Sequence, residues 1–280
     1  MLGSTVARRL RASHPAWRVE GTSRDPTSRL SLHAEAGRPG IGDLLRLGRY
    51  DYVINCIGVL RGEIDERRGE TIERAIRVNA LFPHEIADVA GECGTCLIHI
   101  STDAVFSGRR QAPYTEADQA DPADVYGMTK SLGETPAANA LTIRCSLVGR
   151  DTRGRGLVEW YRASRADSVA GFSDYVWTPA TTVQVADACA ALVGGGFAAM
   201  RAEGHVAHFA PNPPLSKADF LCRLRNAAGG PAIEPRTGPE GAISRVLVSR
   251  RRAWQVDSRP SRDWPAVIAE MLGEFSSRGA

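Results

Sequence analysis

The sequence predicts an α/β protein: a doubly wound parallel sheet, followed along the chain by a smaller α+β part. Three mainly apolar runs, at residues 52–57, 97–100 and 141–147, are the first reason. They are continuous rather than alternating, as in strands buried between two helix layers. The second is the helical period between the first two runs, where Ile72, Ala75, Ile76, Leu81, Ile86 and Val89 recur along one stretch. Strands alternating with such helices build a parallel sheet. The third is size: 280 residues, 43% hydrophobic, suffice for one large domain or a large and a small one.

Composition narrows the class of partner. Formal net charge is only +3 and the arginines are spread among acids, so no concentrated basic arm is offered to nucleic acid. No stretch approaches twenty apolar residues, and the expectation is no membrane association. The start, MLGSTVARRLRASH, lacks the apolar core of a secretory signal, and six scattered cysteines suit a reducing cytoplasm. Cys93 and Cys96 have redox-pair spacing. With no second pair to complete a zinc site and flanks unlike a redox helix, they read as a helix end and a strand start.

Taken in order, Leu2, Val6, Ala7 and Leu10 outline an amphipathic helix and residues 17–22 a strand. A dinucleotide-binding fold runs strand, glycine-rich turn, helix, strand. Met1, Leu2 and Gly3 fit the last positions of Gly-x-x-Gly-x-x-Gly, making Gly3 the third glycine and leaving the first strand and two glycines unaccounted for. The expectation is a recorded start about ten residues late, one strand plus a turn; a complete chain would bind pyrophosphate poorly. After the second strand, Arg24 suits the 2′-phosphate of NADPH, although Asp25 beside it argues the other way and a solvated Arg24 is the alternative.

Residues 61–69 form a charged, solvent-facing loop, and 71–90 a helix that Pro83 bends or splits. Beyond the 141–147 strand, Arg150, Arg153 and Arg155 either meet a diphosphate or stay exposed, and a helix covers about 157–166. Residues 172–182 carry Tyr175 and Trp177, rings able to stack on a base or sugar or simply to pack. Then come a helix at 183–193, a strand at 205–209, a linker at 211–214, a helix capped by Ser216, a loop at 229–241 and a closing amphipathic helix at 263–275.

The chemistry concentrates between Leu97 and Lys130. A buried strand ends at the hydroxyls of Ser101 and Thr102, and a helix capped by Asp121 or Asp124 carries Tyr126 and Lys130. Residues four apart on a helix are neighbours, which sets the ammonium of Lys130 beside the Tyr126 ring and favours its phenolate. Tyr126 is then a proton donor to a developing alkoxide, and Thr102 a second hydrogen-bonding group for the same oxygen. Only Lys130 and Lys217 are lysines among the 35 basic residues. A chain that writes its cations as arginine keeps a compact ammonium here.

STDAVFSG followed by PYTEADQADPADVYGMTK resembles the active-site block of the extended short-chain dehydrogenase/reductases, most closely the dTDP-4-dehydrorhamnose reductase family. The similarity continues through YDYVINCIGVL, VNALFPHEIAD, LTIRCSLVGR, the Thr-Thr of WTPATT and LSKADFL. It implies a Rossmann-like sheet, with an NAD(P)-binding domain at 1–147 and a mainly substrate-binding part at 148–280, some segments of which return to the sheet. It implies Tyr126, Lys130 and Thr102 as catalytic. On the cofactor side it implies Gly3, Arg24, Asp43, Leu44, Cys56, Ile57, Gly58, Tyr126 and Lys130, with Asn79 as support for the Tyr-Lys pair. On the substrate side it implies Thr102, Asp103, Leu147 and Trp177; the family often has tryptophan where Leu147 stands.

The activity implied is NADPH-dependent (NADH as the alternative) reduction of the 4-keto group of a nucleoside-diphosphate deoxy sugar, in the cytoplasm, by a homodimer. An epimerase or related reductase on the same scaffold, or a non-catalytic partner subunit, are the alternatives.

Overall fold

The computed structural model describes residues 1–23, 31–33, 36, 40–110, 112–256 and 263–274; Arg24 and Phe275 lie outside the described residues. Helix α1 (Leu2–Ser13) comes first, then strands β1 (Gly21–Ser23) and β2 (Ser31–His33) and helix α2 (Ile41–Gly48). Strand β3 (Tyr52–Asn55) leads through α3 (Gly69–Ala75) and α4 (Phe82–Glu92) to β4 (Cys96–Thr102), α5 (Val125–Leu132) and β5 (Ala140–Val148). There follow α6 (Gly156–Ala163), β6 (Ser168–Phe172), β7 (Tyr175–Trp177), β8 (Pro179–Thr181), α7 (Thr182–Ala191), α8 (Phe197–Ala202), β9 (Val206–His208) and β10 (Leu215–Ser216). The chain closes with α9 (Lys217–Ala228), β11 (Ala232–Arg236), β12 (Ile243–Arg245), α10 (Arg252–Val256) and α11 (Trp264–Gly273).

The central sheet is parallel throughout and Rossmann-like, in the order β3, β4, β5, with β9 and β8 sharing the far edge of β5. Beyond Cys96, every side chain of β4 is buried, as the unbroken apolar run requires. On one face Leu2, Val6 and Leu10 of α1 and Val185, Ala186 and Cys189 of α7 pack on Ile98, Leu141 and Ile143. On the other, Leu45 of α2 and Phe82, Ile86 and Ala90 of α4 cover Leu97. A separate core gathers Tyr161, Phe220, Leu224, Trp264, Ile268 and Met271 from α6, α9 and α11. The pair β1–β2 forms its own short parallel sheet.

Several expectations need correction. The strand expected at 17–22 begins only at Gly21: Trp17 stacks on His14 at 3.9 Å and its N–H bonds the His14 carbonyl, before extended pairing starts. The 71–90 helix is interrupted by a wider turn at Ile76–Leu81, because Pro83 at the start of α4 has no N–H to donate. The 229–241 loop contains β11, whose backbone pairs in parallel with β6. Residues Thr182–Ala202 make one helical stretch, kinked at Gly195 (φ 132°), with mean hydropathy 1.5. It is long and apolar enough to cross a membrane by length and composition, yet half of it is buried inside the fold.

Under the end of β4 lies a buried ion pair. Arg144 of β5 meets Glu134 at 2.6 and 2.9 Å, Glu134 also accepts from Ser101 Oγ at 2.7 Å, and the guanidinium lies over Phe106. Glu134→Leu leaves the Arg144 charge buried without a partner and is expected to cost about 3–5 kcal/mol in urea denaturation. Adding Arg144→Met should restore most of that loss; a single-variant cost under about 1 kcal/mol would contradict the pairing.

Candidate active site

The site is built where α5 closes on the end of β4. Asp124, not Asp121, is the N-cap, its Oδ1 accepting from the Gly127 N–H at 2.8 Å while Oδ2 pairs with Arg61 at 2.9 Å. Asp121 instead accepts from the Ser107 N–H and hydroxyl. A methyl on Gly127 would run into the Ala104 carbonyl, and one on Gly133 into that of Asn79. Glycine at these two positions lets the helix lie directly on the turn after Thr102 and on the chain before α4.

Tyr126 is half-buried beside Thr102, whose Oγ1 accepts from the Ala104 N–H and donates to Asp103 Oδ1, both at 3.1 Å. Burial pushes the Tyr126 phenol up to about 12, with the neighbouring Thr102 hydroxyl opposing. Lys130 does not turn its ammonium to the phenol as expected. Its Nζ runs inward, donating to the Ile100 carbonyl at 2.8 Å and lying 3.3 Å from His99 Nε2. Burial lowers Lys130 to about 8, with Glu134 opposing. The phenol is thus made less acidic and the amine less basic, so that near neutral pH the phenol keeps its proton. Ser101, occupied by Glu134, takes no part.

A cavity of about 290 Å³ opens in front of Tyr126. Of the residues expected on the substrate side it gathers Thr102, Asp103, Leu147 and Trp177, together with Tyr126 itself. Arg153 and Arg155 do not line it, nor does Arg150; Arg155 pairs with Asp151 at 2.8 Å and Arg150 with Glu159. The cations that do line it are Arg61, Lys217 and Arg245, which the sequence reading missed. Arg61 is held by Asp124, whereas among the described residues no ion pair holds Lys217 or Arg245, and Arg245 Nε is buried without a partner. Lys217 lies over the rings of Tyr175 and Trp177 at 5.4 and 5.9 Å. Its rarity, one of two lysines, was the signal that would have found it.

The residues expected to hold a dinucleotide form a second group. Gly3 in the first turn of α1 faces the tip of β3, where an added Cβ would lie 3.5 Å from that of Cys56. Cys56 has its thiol pushed up to about 12 by burial, which makes it a wall rather than a nucleophile. Past Ile57, Gly58 leaves room for Asn79, whose side chain bonds both backbone groups of Val59 at 2.8 and 3.0 Å and Thr129 at 3.2 Å. Asn79 therefore ties this loop to α5 without touching Lys130. Asp43 and Leu44 sit in the first turn of α2, with Asp43 exposed beside Arg46. The first turn of α1 has no acid and no side-chain cap. These residues fit a dinucleotide.

A family described as the RmlD substrate binding domain matches residues 12–251. A dTDP-4-dehydrorhamnose reductase of Mycolicibacterium smegmatis is 30% identical over 238 residues, 79% of this chain and 70% of the relative. A probable low-salt glycan biosynthesis reductase, Agl14, of Haloferax volcanii is 29% identical over 265 residues, 90% of this chain and 85% of its own. The crystal structure of dTDP-4-dehydrorhamnose reductase from Bacillus anthracis, in complex with NADP, superposes with a TM-score of 0.70 at 18% identity, covering 84% of each chain.

Burial of Lys130 has a measurable consequence for stability. The unfolded chain holds this proton to about pH 10.5 and the folded one only to about 8, so stability rises with pH between the two. Relative to Lys130→Met, the parent is expected to gain about 1.4 kcal/mol per pH unit across that window in urea denaturation. A flat difference would contradict the burial of the amine.

Proposed function

Because the chain belongs to the family of the RmlD substrate binding domain, we propose that it reduces the 4-keto group of a deoxy sugar carried on a nucleoside diphosphate. The observation that carries this reading is the cavity itself: a phenol and a threonine hydroxyl at one end, and along its walls two aromatic rings and two cations that no ion pair holds among the described residues. A diphosphate can pair with both Lys217 and Arg245, which no ion pair holds among the described residues. Trp177 and Tyr175 present faces for the base or the sugar.

NADPH, or NADH in its place, supplies the hydride when bound. Tyr126 gives its proton to the carbonyl oxygen as that oxygen becomes an alkoxide. Thr102 orients the same oxygen, and the raised proton affinity of the phenol keeps Tyr126 in its donating form at neutral pH. Lys130, bonded to the Ile100 carbonyl, would meet the cofactor's ribose. Gly3, Cys56, Ile57 and Gly58 form the cofactor wall, and Asp103 and Leu147 border the sugar. The division of labour falls near Leu147, with residues 1–147 serving the cofactor and 148–280 mainly the substrate. The setting is cytoplasmic nucleotide-sugar synthesis.

The test is NADPH consumption by the purified protein with dTDP-4-dehydrorhamnose and related nucleotide 4-keto sugars. Tyr126→Phe is expected to lower kcat by about 10²–10⁴ with KM little changed. Lys217→Ala and Arg245→Ala should raise KM and leave kcat within a few-fold, as for groups that bind substrate and transition state alike. No consumption with any nucleoside-diphosphate keto sugar would overturn the reading.

A further inference from the structure

Three buried side chains lie end to end behind the site: Asn55 closing β3, His99 within β4, and Lys130 on α5. Asn55 Nδ2 is 3.1 Å from His99 Nδ1, and His99 Nε2 is 3.3 Å from Lys130 Nζ. The direction of this row is fixed at one end by a group that can only donate. The backbone N–H of Ile57 bonds the Asn55 side chain at 3.0 Å, so the amide oxygen faces Ile57 and the amide NH₂ faces His99.

His99 Nδ1 therefore accepts. Burial keeps the ring neutral, and its single proton then sits on Nε2. That proton points at Lys130 Nζ, which can receive it only through a lone pair. The row as it stands is that of an unprotonated amine, which itself donates to the Ile100 carbonyl at 2.8 Å. A protonated Lys130 has three donors and no acceptor. It requires the reverse row: Nζ donating to Nε2, Nδ1 donating to the Asn55 oxygen, and the amide turned by half a rotation, which releases the Ile57 N–H.

We propose that Asn55 and His99 form a two-state hydrogen-bond wire coupling the proton on Lys130 to the backbone N–H of Ile57. Uptake of one proton from solvent at Nζ leaves His99 neutral, with its ring proton on Nδ1 instead of Nε2. The freed Ile57 N–H is then available to an acceptor at the tip of β3. By linkage, an acceptor bound there raises the proton affinity of Lys130 by the factor by which that proton strengthens the acceptor's binding. His99 does not line the cavity; it is a positioning residue acting through Lys130.

The other titratable groups facing the row are accounted for. Around Lys130 they are Glu134, paired with Arg144, and the thiols of Cys56 and Cys145; toward His99 the group is His84, engaged with the Leu132 carbonyl. Among the described residues none of them hydrogen-bonds to the row, so its polarity is set by Ile57 at one end and Lys130 at the other. The wire needs neither cofactor nor sugar, and its test stands apart from that of the proposed reaction.

The experiment is NMR on the free protein. With Lys217→Arg, Lys130 is the only lysine, and a ¹³Cε label reports its titration directly. A ¹⁵N-histidine label reports which ring nitrogen of His99 carries the proton, its signals identified among the six histidines by their loss in His99→Gln. The expected result is a shift of the proton from Nε2 to Nδ1 as pH falls through the Lys130 midpoint, near pH 8, with the Ile57 amide moving at the same midpoint. In Lys130→Met both changes should vanish, with Nε2 protonated throughout. A His99 ring that keeps one tautomer while Lys130 titrates would overturn the proposal. So would a His99 transition near pH 8 that persists in Lys130→Met.

Discussion

The bond from the Lys130 amine to the Ile100 carbonyl, at 2.8 Å, is the interaction on which the rest of the site depends. An amine buried to this degree costs several kcal/mol unless its hydrogens are used, so α5 must lie against β4 closely enough to reach a strand carbonyl. That closeness dictates local sequence. Gly127 and Gly133 remove the side chains that would meet the Ala104 and Asn79 carbonyls, Asp124 starts the helix at the right residue, and Asn79 clamps the loop after β3 to the same helix. Tyr126, one turn before Lys130, is left at the mouth of the cavity with Thr102. Proton donor and orienting hydroxyl are thus positioned by the packing of α5 against β4.

Much of this was legible because it is local. The four-residue spacing of Tyr126 and Lys130 and the strand end at Thr102 lie within 29 residues, and their places on helix and strand follow from the two periods. The parallel sheet was legible from its apolar runs, since strands covered on both faces have no polar side to display. Lys217 and Arg245 were not, because they reach the cavity from α9 and β12, about ninety and a hundred and twenty residues after Tyr126. Nothing in a local pattern says that distant cations converge.

His99 was hidden differently. Within Leu-Ile-His-Ile it reads as one more buried strand residue, and only the strands and helix on either side reveal what its two nitrogens meet. The same limit explains β11. Its backbone partners lie about 64 residues earlier, on β6, and turn-forming residues on either side masked its pairing. The inward turn of Lys130 was also beyond reach, since periodicity places a Cβ but not the far end of a four-carbon stem. What the structure adds to the sequence is the direction of polar groups.

The cavity and the α1–β3 side together describe a protein that holds a dinucleotide in the parallel sheet and an anionic, carbonyl-bearing ligand beside it. Both halves meet at Tyr126. The measurement that tests this most directly is a fluorescence titration of NADPH with the purified chain, repeated with Lys130→Ala. The account predicts saturable binding at about micromolar concentrations, typical of ordinary cofactor use, and marked weakening when Lys130 is removed. Absence of saturable binding to the parent chain would contradict a reductase and leave Tyr126 and Lys130 as structural residues.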